Sequence, residues 1–419
     1  MTLDRDQNGR HEATAHLDAA VPAAPPPTRA DVIIVGAGIA GSLLALALAR
    51  RDLNVVIVDP RASYPRDFRC EKFSAEQLAL LNELDALDQL EAAERATRGD
   101  DARGDGLVNR GLRYDHMVNA VRAAWPDSVA FMQGRASRLE TGEGEQRLTL
   151  AGGAVVEGRL IVLATGSCQK LLAPLGIRRR MLSERHSVTI GLSIRPKDRA
   201  AFPFMTMVGE GTRAGDRIAF VSLFPMGNAT RVNLFAYHDP RDPWTRAFRD
   251  DPVASLMQVL PGFGAKLGEI SVTSPVEIRA TDLYEAEGHI APGVVLIGDA
   301  FRTSCPATGM GVTRALTDVR QLSGLHVPAW LSTPGMASDK IAQFYADPVK
   351  QAVDATSTRR AVTGRLKATD TSLRWQAQRS ISRVWRLSRR TTGRFTIAVK
   401  ARAASTGCGQ TSQMKYRHG

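Results

Sequence analysis

Near the start of the chain, apolar residues fall in a strand, helix, strand order. Residues 31–35 (DVIIV) form an almost unbroken apolar run rich in β-branched side chains, which is typical of a parallel strand buried on both faces. Residues 39–51 are rich in Leu and Ala and predict a helix, and residues 55–58 predict a second strand. The pattern therefore predicts an α/β unit that begins with β-α-β.

Three glycines stand between the first strand and the helix in the order G-x-G-x-x-G. Gly36 permits a tight turn, Gly38 lets a pyrophosphate approach the backbone, and Gly41 lets helix and strand pack closely. The backbone N–H groups of Ile39 and Ala40, at the helix N-terminus, are candidate phosphate ligands. This turn predicts a Rossmann-like dinucleotide site.

Asp59 ends the second strand, 18 residues after Gly41. A carboxylate near this position hydrogen-bonds a ribose hydroxyl in dinucleotide-binding folds. The residues of this β-α-β segment do not indicate whether the dinucleotide is FAD or NAD. Residues 32–49 are also the longest apolar run, about the length of a short membrane span. Because the glycines of this run fit the strand, turn and helix pattern, we expect a soluble protein.

A second set of turn residues lies much later in the chain. Residues 294–297 (VVLI) predict another buried strand, which ends at Gly298-Asp299. Pro306, Gly309 and Gly311 follow, before a predicted helix over residues 312–325.

The early glycine turn, the G-D pair about 260 residues later and the P-x-x-G-x-G helix start resemble the p-hydroxybenzoate hydroxylase-like flavoproteins, the class A flavin monooxygenase superfamily. The resemblance implies FAD as the cofactor and a contact of Asp299 with its ribityl chain. It places residues 306–311 against the isoalloxazine. Backbone N–H groups there, including those of Met310 and Gly311, would stabilise negative charge on the reduced flavin.

Two arginines are further candidates from the same resemblance. Arg69, in DFRCEKF, stands where family members place an arginine on the FAD pyrophosphate, and the alternative is a solvated surface arginine. It precedes Ser74 and Gln77, whose spacing predicts a capping box at a helix start. Arg110 falls just before a helix that borders FAD in the family.

The middle motif of the family, A-D-G-x-x-S-x-x-R followed by L-G-I, is altered in residues 160–177. Thr165, Gln169 and Leu172 replace its Asp, Ser and Arg, whereas the L-G-I end is intact. Residues 164–167 instead resemble the A-T-G-S turn of other flavoenzymes with two dinucleotide folds. Thr165 and Gly166 are therefore candidate cofactor contacts. NAD(P)H is the candidate electron donor, and we expect its use to differ from the family's usual mode.

The predicted fold is α/β, with a discontinuous Rossmann-like FAD-binding domain over residues 31–176 and 293–325. A β-rich substrate domain is inserted at residues 177–292, with a hairpin at 217–237 and helices over 239–268. Residues 1–30 are predicted to be a flexible leader. Residues 326–419 are predicted to be a basic, mainly helical C-terminal segment.

Charge is concentrated at the end of the chain. Residues 350–419 hold 12 Arg and 4 Lys against two Asp, while the whole chain carries +12. One interpretation is a helix packed on the body with a frayed basic end. The other is docking to an anionic membrane surface or an acidic partner, since no nucleic-acid-binding fold is recognisable.

The four cysteines are scattered, without the spacing of a zinc site or redox dithiol. They favour a location in the reducing cytoplasm. A peripheral position on the cytoplasmic face of a membrane is compatible with this. No metal site is predicted.

The leading functional hypothesis is an FAD-dependent monooxygenase, a class of oxidoreductase, that hydroxylates a small aromatic or polyketide-like substrate. The resemblance implies oxygen transfer from a C4a-hydroperoxyflavin. One alternative is a geranylgeranyl reductase-like enzyme that reduces an isoprenoid alkene, and another is a non-catalytic FAD-binding protein. The W-x-W-x-I-P motif of tryptophan halogenases is missing. No catalytic base is identified, and His186, Tyr237 and His238 are expected to be structural.

Overall fold

Two sheets and a set of helices form the described part of the chain, which in this computed structural model comprises residues 28–98, 106–211, 213–259, 262 and 264–379. The strands are β1 (Thr28–Val35), β2 (Val55–Asp59), β3 (Cys70–Glu71), β4 (Leu112–Arg113), β5 (Val129–Gln133), β6 (Ala136–Glu140), β7 (Gln146–Leu150), β8 (Val155–Leu163), β9 (Arg178–Pro196), β10 (Met207–Glu210), β11 (Ile218–Met226), β12 (Ala229–Ala236), β13 (Ile270–Val272), β14 (Glu277–Glu287) and β15 (Val294–Leu296). The α-helices are α1 (Ile39–Ala49), α2 (Ala75–Glu83), α3 (Leu87–Arg98), α4 (Gly106–Asn109), α5 (Tyr114–Ala123), α6 (Pro243–Asp250), α7 (Pro252–Val259), α8 (Gly264–Leu267), α9 (Met310–Gln321), α10 (Val327–Leu331), α11 (Ser338–Ala346) and α12 (Pro348–Thr369).

The larger sheet has the strand order β5-β2-β1-β8-β7-β6, with β15 also paired to β8. Strands β5, β2, β1, β8 and β15 run parallel, whereas β6 and β7 run antiparallel. Strand β8 carries β7 on residues 155–158 and β15 on residues 161–163. The carboxyl ends of β1 and β15 therefore meet at one edge of the sheet, although the two strands are far apart in sequence.

Apolar side chains explain this arrangement. Strands β2 and β15 are buried along their whole lengths, and β1 is buried over its last four residues, 32–35, as their β-branched sequences predict. Ten of the 11 residues of α1 are buried, and this helix packs against α5 and α9 on one face of the sheet. The α/β fold with a Rossmann-like unit is confirmed.

The smaller sheet is antiparallel, with the order β10-β11-β12-β9-β13 and β14 also paired to β9. Helices α6 and α7 cover it through Phe248, Leu256 and Trp244. Strands β11 and β12 form the predicted hairpin, whose turn contains Gly227 at a φ of +56°. The β-rich character of residues 177–292 is therefore confirmed, as are the helices within residues 239–268.

The C-terminal helices connect the two sheets. Helix α9 passes through a π-helical turn, Leu322–His326, into α10. Helix α12 then packs against both α9 and β11. Its Lys350 is 2% exposed and pairs with Asp318 of α9. The described part of the C-terminal segment is thus helical and packed on the body.

One predicted boundary is wrong. Residues 28–30 were assigned to the leader but begin β1, because Thr28 and Ala30 pair with Val156 and Gly158 of β8. The rest of the predicted leader, residues 1–27, and the end of the basic segment, residues 380–419, lie outside the described residues. Within the described chain, none of the helices has the length and apolarity needed to cross a bilayer.

Candidate cofactor site

The turn between β1 and α1 requires glycine at two positions for packing alone. Gly36 has a φ of +101°, and a Cβ there would lie 2.5 Å from the Ala164 carbonyl oxygen. A Cβ on Gly41 would lie 2.0 Å from the Gly36 carbonyl oxygen. These two glycines let α1, β1 and the end of β8 approach one another closely.

Gly38 differs from its neighbours because the protein leaves space beside it. The nearest atom to a Cβ at Gly38 is the Tyr114 hydroxyl, at 3.9 Å. Gly38, the N-cap residue of α1, supplies no capping side chain, and the Tyr114 hydroxyl accepts the Ile39 amide only through a long hydrogen bond of 3.5 Å. The free amides at a helix start bind anions, so Gly38, Ile39 and Ala40 present a cradle that fits a pyrophosphate.

Asp59 braces this turn from the end of β2. One carboxylate oxygen accepts the Ala37 amide at 2.9 Å, and the other accepts the Arg61 amide at 2.9 Å. Arg122 donates from Nε to the Ala37 carbonyl at 2.9 Å and lies 3.8 Å from the Asp59 carboxylate. The carboxylate is thus placed at the glycine turn, and its contact with a ribose stays a prediction.

Arg69 lies beside the same turn. Its guanidinium stacks 3.6 Å from the centre of the Tyr114 ring, and the Tyr114 hydroxyl accepts the Ile39 amide at 3.5 Å. Arg69 also donates to the Tyr64 hydroxyl at 2.9 Å and to Asp67 at 2.6 Å. Burial alone would raise the pKa of Asp67, but its hydrogen bonds and charge interaction with Arg69 lower it. The arginine is therefore held in place before any ligand binds.

The G-D turn after β15 presents a carboxylate to the same region. Gly298 has a φ of +56°, and the Asp299 side chain is exposed between surrounding walls of protein. Desolvation by these walls raises the pKa of Asp299, while the charges of Arg314, Arg69 and Arg179 act in the opposite direction. Asp299 and Arg69 thus interact although 230 residues separate them in sequence.

Residues 164–166, at the end of β8, form a third segment of the candidate site, after the β1–α1 turn and the G-D turn. Gly166 has a φ of +58°, and its carbonyl accepts Arg179 Nη2 at 3.3 Å. The Arg179 guanidinium lies 4.0 Å from the centre of the Tyr284 ring, and Tyr284 donates to the Asp299 carbonyl at 3.0 Å. Arg179 Nε is buried and has no hydrogen-bond partner among the described residues, which leaves a polar atom for a ligand to satisfy.

The loop before α9 is preorganised by the predicted capping box. Ser74 and Gln77 satisfy each other's backbone amides at the start of α2. The Gln77 side-chain amide also donates to the Gly309 carbonyl at 3.0 Å and to Thr313 Oγ1 at 3.0 Å. Gly309 has a φ of +65°, and a Cβ at Gly309 or Gly311 would meet no atom of the described chain within 4 Å.

Comparisons with known proteins agree with this geometry. A family model for lycopene cyclase proteins matches residues 31–232, somewhat under half of the chain. The sequence is 24% identical over 337 residues to 3-demethoxyubiquinol 3-hydroxylase of Escherichia coli, covering 73% of this chain and 83% of that protein. It is 26% identical over 337 residues to menaquinone reductase of Mycobacterium tuberculosis, covering 68% and 74%.

Solved structures are similar over most of the chain. The p-nitrophenol 4-monooxygenase of Pseudomonas putida superposes with a TM-score of 0.61 at 13% identity, covering 85% of this chain and 93% of that one. A halogenase in complex with FAD gives a TM-score of 0.62 at 14% identity, covering 81% and 76%. The chain therefore has the fold of the flavin-dependent monooxygenases. The resemblance in its turn motifs is thereby confirmed.

Arg110 takes a structural place in this flavin monooxygenase fold. It is completely buried, and its Nε lies 2.7 Å from the Glu94 carboxylate. Its Nη2 donates to the Gly227 carbonyl at 2.9 Å. The side chain therefore joins α3 to the β11–β12 hairpin, and its contact with FAD stays a prediction.

Sequence reasoning missed three residues near the candidate site, Arg179, Tyr284 and Tyr114. Arg179 lies in the run of three arginines that opens β9, and no spacing rule distinguishes it from Arg178 or Arg180. Tyr284 reaches the site only because β14 pairs with β9. A signal was available for Tyr114 alone, since it begins the helix that follows Arg110.

The histidines in the antiparallel sheet have protein partners. His238 contacts Asp242 at 3.1 Å and the Asp216 carbonyl at 3.0 Å. His186 contacts Ser183 at 3.2 Å, and burial together with the charge of Arg365 lowers the pKa of His186 to about 4. His186 is therefore neutral at pH 7, and its geometry supports the structural interpretation.

Proposed function

We propose that this chain is an FAD-dependent monooxygenase that hydroxylates a small aromatic or polyketide-like molecule. The observation that carries the proposal is that α9, which follows the loop 306–311, packs against both α1 and the G-D turn at Asp299, while Arg69 beside the β1–α1 turn interacts with the Asp299 charge. The N–H groups and side chains of these turns suit both ends of an FAD molecule. The fold of flavin monooxygenases and the likeness to a hydroxylase support it further.

The residues divide into two groups by the part of FAD that they would hold. Near the first turn, Gly36, Gly38, Ile39, Ala40, Gly41, Asp59 and Arg69 would hold the adenosine and pyrophosphate. Beyond it, Thr165, Gly166, Asp299, Pro306, Gly309, Met310 and Gly311 would hold the ribityl chain and the isoalloxazine. Arg179, with its unsatisfied Nε, joins the second group.

When bound and reduced, FAD supplies the redox chemistry that activates O₂. The protein's part is electrostatic and spatial. The amides at the start of α9 would stabilise negative charge on the reduced ring. The antiparallel sheet and α12 would orient the substrate and exclude water from it. NAD(P)H is our proposed electron donor.

No side chain in the cleft is assigned as a catalytic base. Tyr237 faces the space beside Thr308, but burial and the neighbouring Cys305 raise its pKa far above neutrality. At pH 7 its hydroxyl is protonated, so Tyr237 can donate a hydrogen bond to a substrate and cannot remove a proton from one.

Turnover under labelled oxygen tests the reaction type. The purified holoprotein is supplied with NADPH or NADH and candidate phenols under ¹⁸O₂, and the product is analysed by mass spectrometry. A monooxygenase places one ¹⁸O atom in the product and consumes O₂ in step with NAD(P)H. Alkene reduction would proceed without O₂, and a non-catalytic protein would turn over neither type of substrate. Although three relatives are called menaquinone reductases, the comparisons as a whole do not favour these two alternatives.

For location, we propose the cytoplasm. Cys70, Cys168 and Cys305 are all free thiols, which fits a reducing compartment. Docking of the basic segment to an anionic membrane surface or acidic partner remains our proposal for residues 380–419. The earlier cations Lys350 and Lys367 already pair within the body, with Asp318 and Glu210.

A further inference from the structure

The buried side chain of Gln77 joins two parts of the candidate cofactor site that are far apart in sequence. Gln77 lies on α2 and is 6% exposed. Its Oε1 accepts the Ser74 amide at 2.9 Å, which is one half of the capping box. Its Nε2 donates to the Gly309 carbonyl and to Thr313 Oγ1, each at 3.0 Å. Both polar atoms of the side chain are thus used, and only the first has a role in α2.

Glutamine is the residue that allows both tasks. A capping box forms with either glutamate or glutamine at the third helical position. An ionised glutamate could accept the Ser74 amide, but it has no hydrogen to donate to the Gly309 carbonyl. The contact with α9, and not the start of α2, therefore requires glutamine at position 77.

The contact fixes the peptide at which α9 begins. Gly309 is the N-cap of α9, with a φ of +65°, and it has no side chain with which to hold this peptide. In a trans peptide the C=O and N–H bonds point in opposite directions. Holding the Gly309 carbonyl toward α2 therefore turns the Met310 amide to the other side, where it lies 3.2 Å from Thr308 Oγ1.

Thr313 provides the second acceptor for the Gln77 amide. Positions 309 and 313 are about one turn apart on a helix, so the two N–H bonds of this amide span the first turn of α9. Thr313 is 4% exposed, and α2 packs directly against α9. Internal bonds of the loop, such as the one from Thr308 Oγ1 to the Cys305 carbonyl at 2.7 Å, shape the turn before α9. Gln77 places that turn relative to α2.

We propose that Gln77 is a positioning residue that raises the redox potential of bound FAD. The inference rests on the proposed function, in which the loop 306–311 lies against the isoalloxazine. Reduction gives the ring negative charge, and amides held at a helix start stabilise an anion more than a neutral ring. A start of α9 that Gln77 holds in place therefore favours the reduced flavin, and one that is free to shift favours it less.

The test measures the midpoint potential of the FAD-loaded protein by dithionite titration against a dye of known potential. Gln77→Glu keeps the acceptor of the capping box and loses both donated bonds. Gln77→Met loses these bonds without adding charge. Each variant should lower the potential by about 30 mV or more, which for a two-electron couple is a tenfold loss in the affinity for reduced FAD relative to oxidised FAD.

Gln146→Met is the matched control. Gln146 is completely buried, its Oε1 accepts the Gly142 amide at 2.9 Å, and its Nε2 donates to the Gly142 carbonyl at 3.0 Å. It lies beside Gly293, before the amino end of β15, whereas the G-D turn follows the carboxyl end of that strand. This variant should lower the free energy of unfolding, as Gln77→Met does, and leave the potential at the parent's value.

Thr313→Val tests the same contact without changing Gln77 or the capping box, so it decides the question if neither Gln77 variant folds. It removes one of the two acceptors and should lower the potential by a smaller amount. A Thr313→Val protein with the parent's potential, in the absence of folded Gln77 variants, would contradict the proposal.

Three further results would overturn the role of Gln77. A loaded Gln77→Met protein with the parent's potential is the first. The second is a shift confined to Gln77→Glu, which would report its added charge, and the third is an equal shift in Gln146→Met, which would report lost stability. A parent protein that binds no FAD would contradict the proposed function itself, whereas a loaded protein whose potential is independent of Gln77 contradicts this inference alone.

Discussion

Lys350 Nζ lies 2.8 Å from a carboxylate oxygen of Asp318, and both side chains are 2% exposed. The other oxygen of Asp318 accepts the Gly298 amide at 2.9 Å. Lys350 also pairs with Asp354 at 3.1 Å, which in turn binds Arg314 at 2.6 Å. A buried ionic network therefore ties α12 to the G-D turn that holds Asp299, so the C-terminal helix supports the cofactor site without entering it.

Replacing Lys350 with Met should therefore weaken both the fold and the site. It leaves the buried Asp318 carboxylate without its cation, while Asp354 keeps Arg314, and removing one partner of a buried pair typically costs about 3–5 kcal/mol in the free energy of unfolding. We expect FAD occupancy to fall as well, because Asp318 positions the Gly298 amide. Urea unfolding of the apoprotein and the flavin content of the purified protein measure the two effects.

The control for this variant is Lys197→Met. Lys197 is 57% exposed and lies 3.8 Å from Glu269, and surface pairs of this kind contribute less than about 1 kcal/mol. If Lys350→Met lowers the free energy of unfolding by no more than Lys197→Met does, the buried network does not stabilise the turn.

Two glycines of the first turn should respond differently to alanine. At Gly41 the added Cβ meets the Gly36 carbonyl at 2.0 Å, so Gly41→Ala should destabilise the apoprotein by about 1–3 kcal/mol. At Gly38 the Cβ has space within the protein. Gly38→Ala should leave apoprotein stability almost unchanged and still lower FAD affinity by tenfold or more, because the methyl group blocks the pyrophosphate.

Thermal unfolding of both apoproteins, followed by FAD titration monitored through flavin fluorescence, separates these effects. A Gly38→Ala protein that binds FAD as the parent does would show that the open space beside this residue is not the phosphate site.

Asp299→Asn should have opposite effects on stability and on cofactor binding. Although Asp299 is accessible to solvent, desolvation by the protein around it raises the pKa of its carboxyl above the usual 3.8, so the charged form is disfavoured in the folded apoprotein. The loss of folding stability caused by ionising Asp299 is therefore absent at low pH and grows as the pH rises above 3.8. The apo Asp299→Asn protein should unfold at a higher temperature than the parent at pH 7 and at the same temperature near pH 3.

The same substitution removes a charged hydrogen-bond acceptor, and such bonds contribute about 1.5–3 kcal/mol. FAD affinity should accordingly fall by about tenfold or more. Asp339→Asn, at an exposed position of α11, serves as the control for charge. Unchanged FAD occupancy in Asp299→Asn protein would be incompatible with a role for this carboxylate in binding the cofactor.

Substitution of Arg110 tests whether this residue has a structural role or contacts the cofactor. Arg110→Met leaves the buried Glu94 carboxylate without this partner, and a loss of about 3–5 kcal/mol in stability is expected. The fraction that remains folded should bind FAD with the parent's affinity. Affinity measured at low temperature, where the variant is folded, checks this. A loss of affinity without a loss of stability would restore the contact predicted from sequence.

The contrast between Arg110 and the glycines shows what the sequence can predict here. Gly36, Gly38 and Gly41 form a turn between a strand and a helix that follow each other directly in sequence. Their spacing was therefore sufficient to predict that turn. The partners of Arg110, Glu94 and Gly227, come from other elements, and their approach depends on how α3 meets the hairpin. The sequence alone therefore could not reveal these two contacts of Arg110.

The same reasoning explains the contacts that sequence analysis missed. Ser74 and Gln77 were predicted as a capping box, which is local, and it formed. The bond from Gln77 to the Gly309 carbonyl joins residues 232 positions apart, and it exists only because α2 and α9 pack together. Likewise, β9–β14 pairing brings Arg179 to Tyr284. Long-range pairing of this kind has no signature in a single sequence.

The central claim is that turns from opposite ends of the chain form a single FAD site, and the flavin content of the protein tests it most directly. The protein is purified without added cofactor, stripped, and titrated with FAD and with FMN. We expect one FAD per chain and binding of FMN weaker by a factor of 100 or more, because FMN lacks the half that the first turn would hold. A protein that binds neither flavin, or that binds FMN as tightly as FAD, would contradict the account.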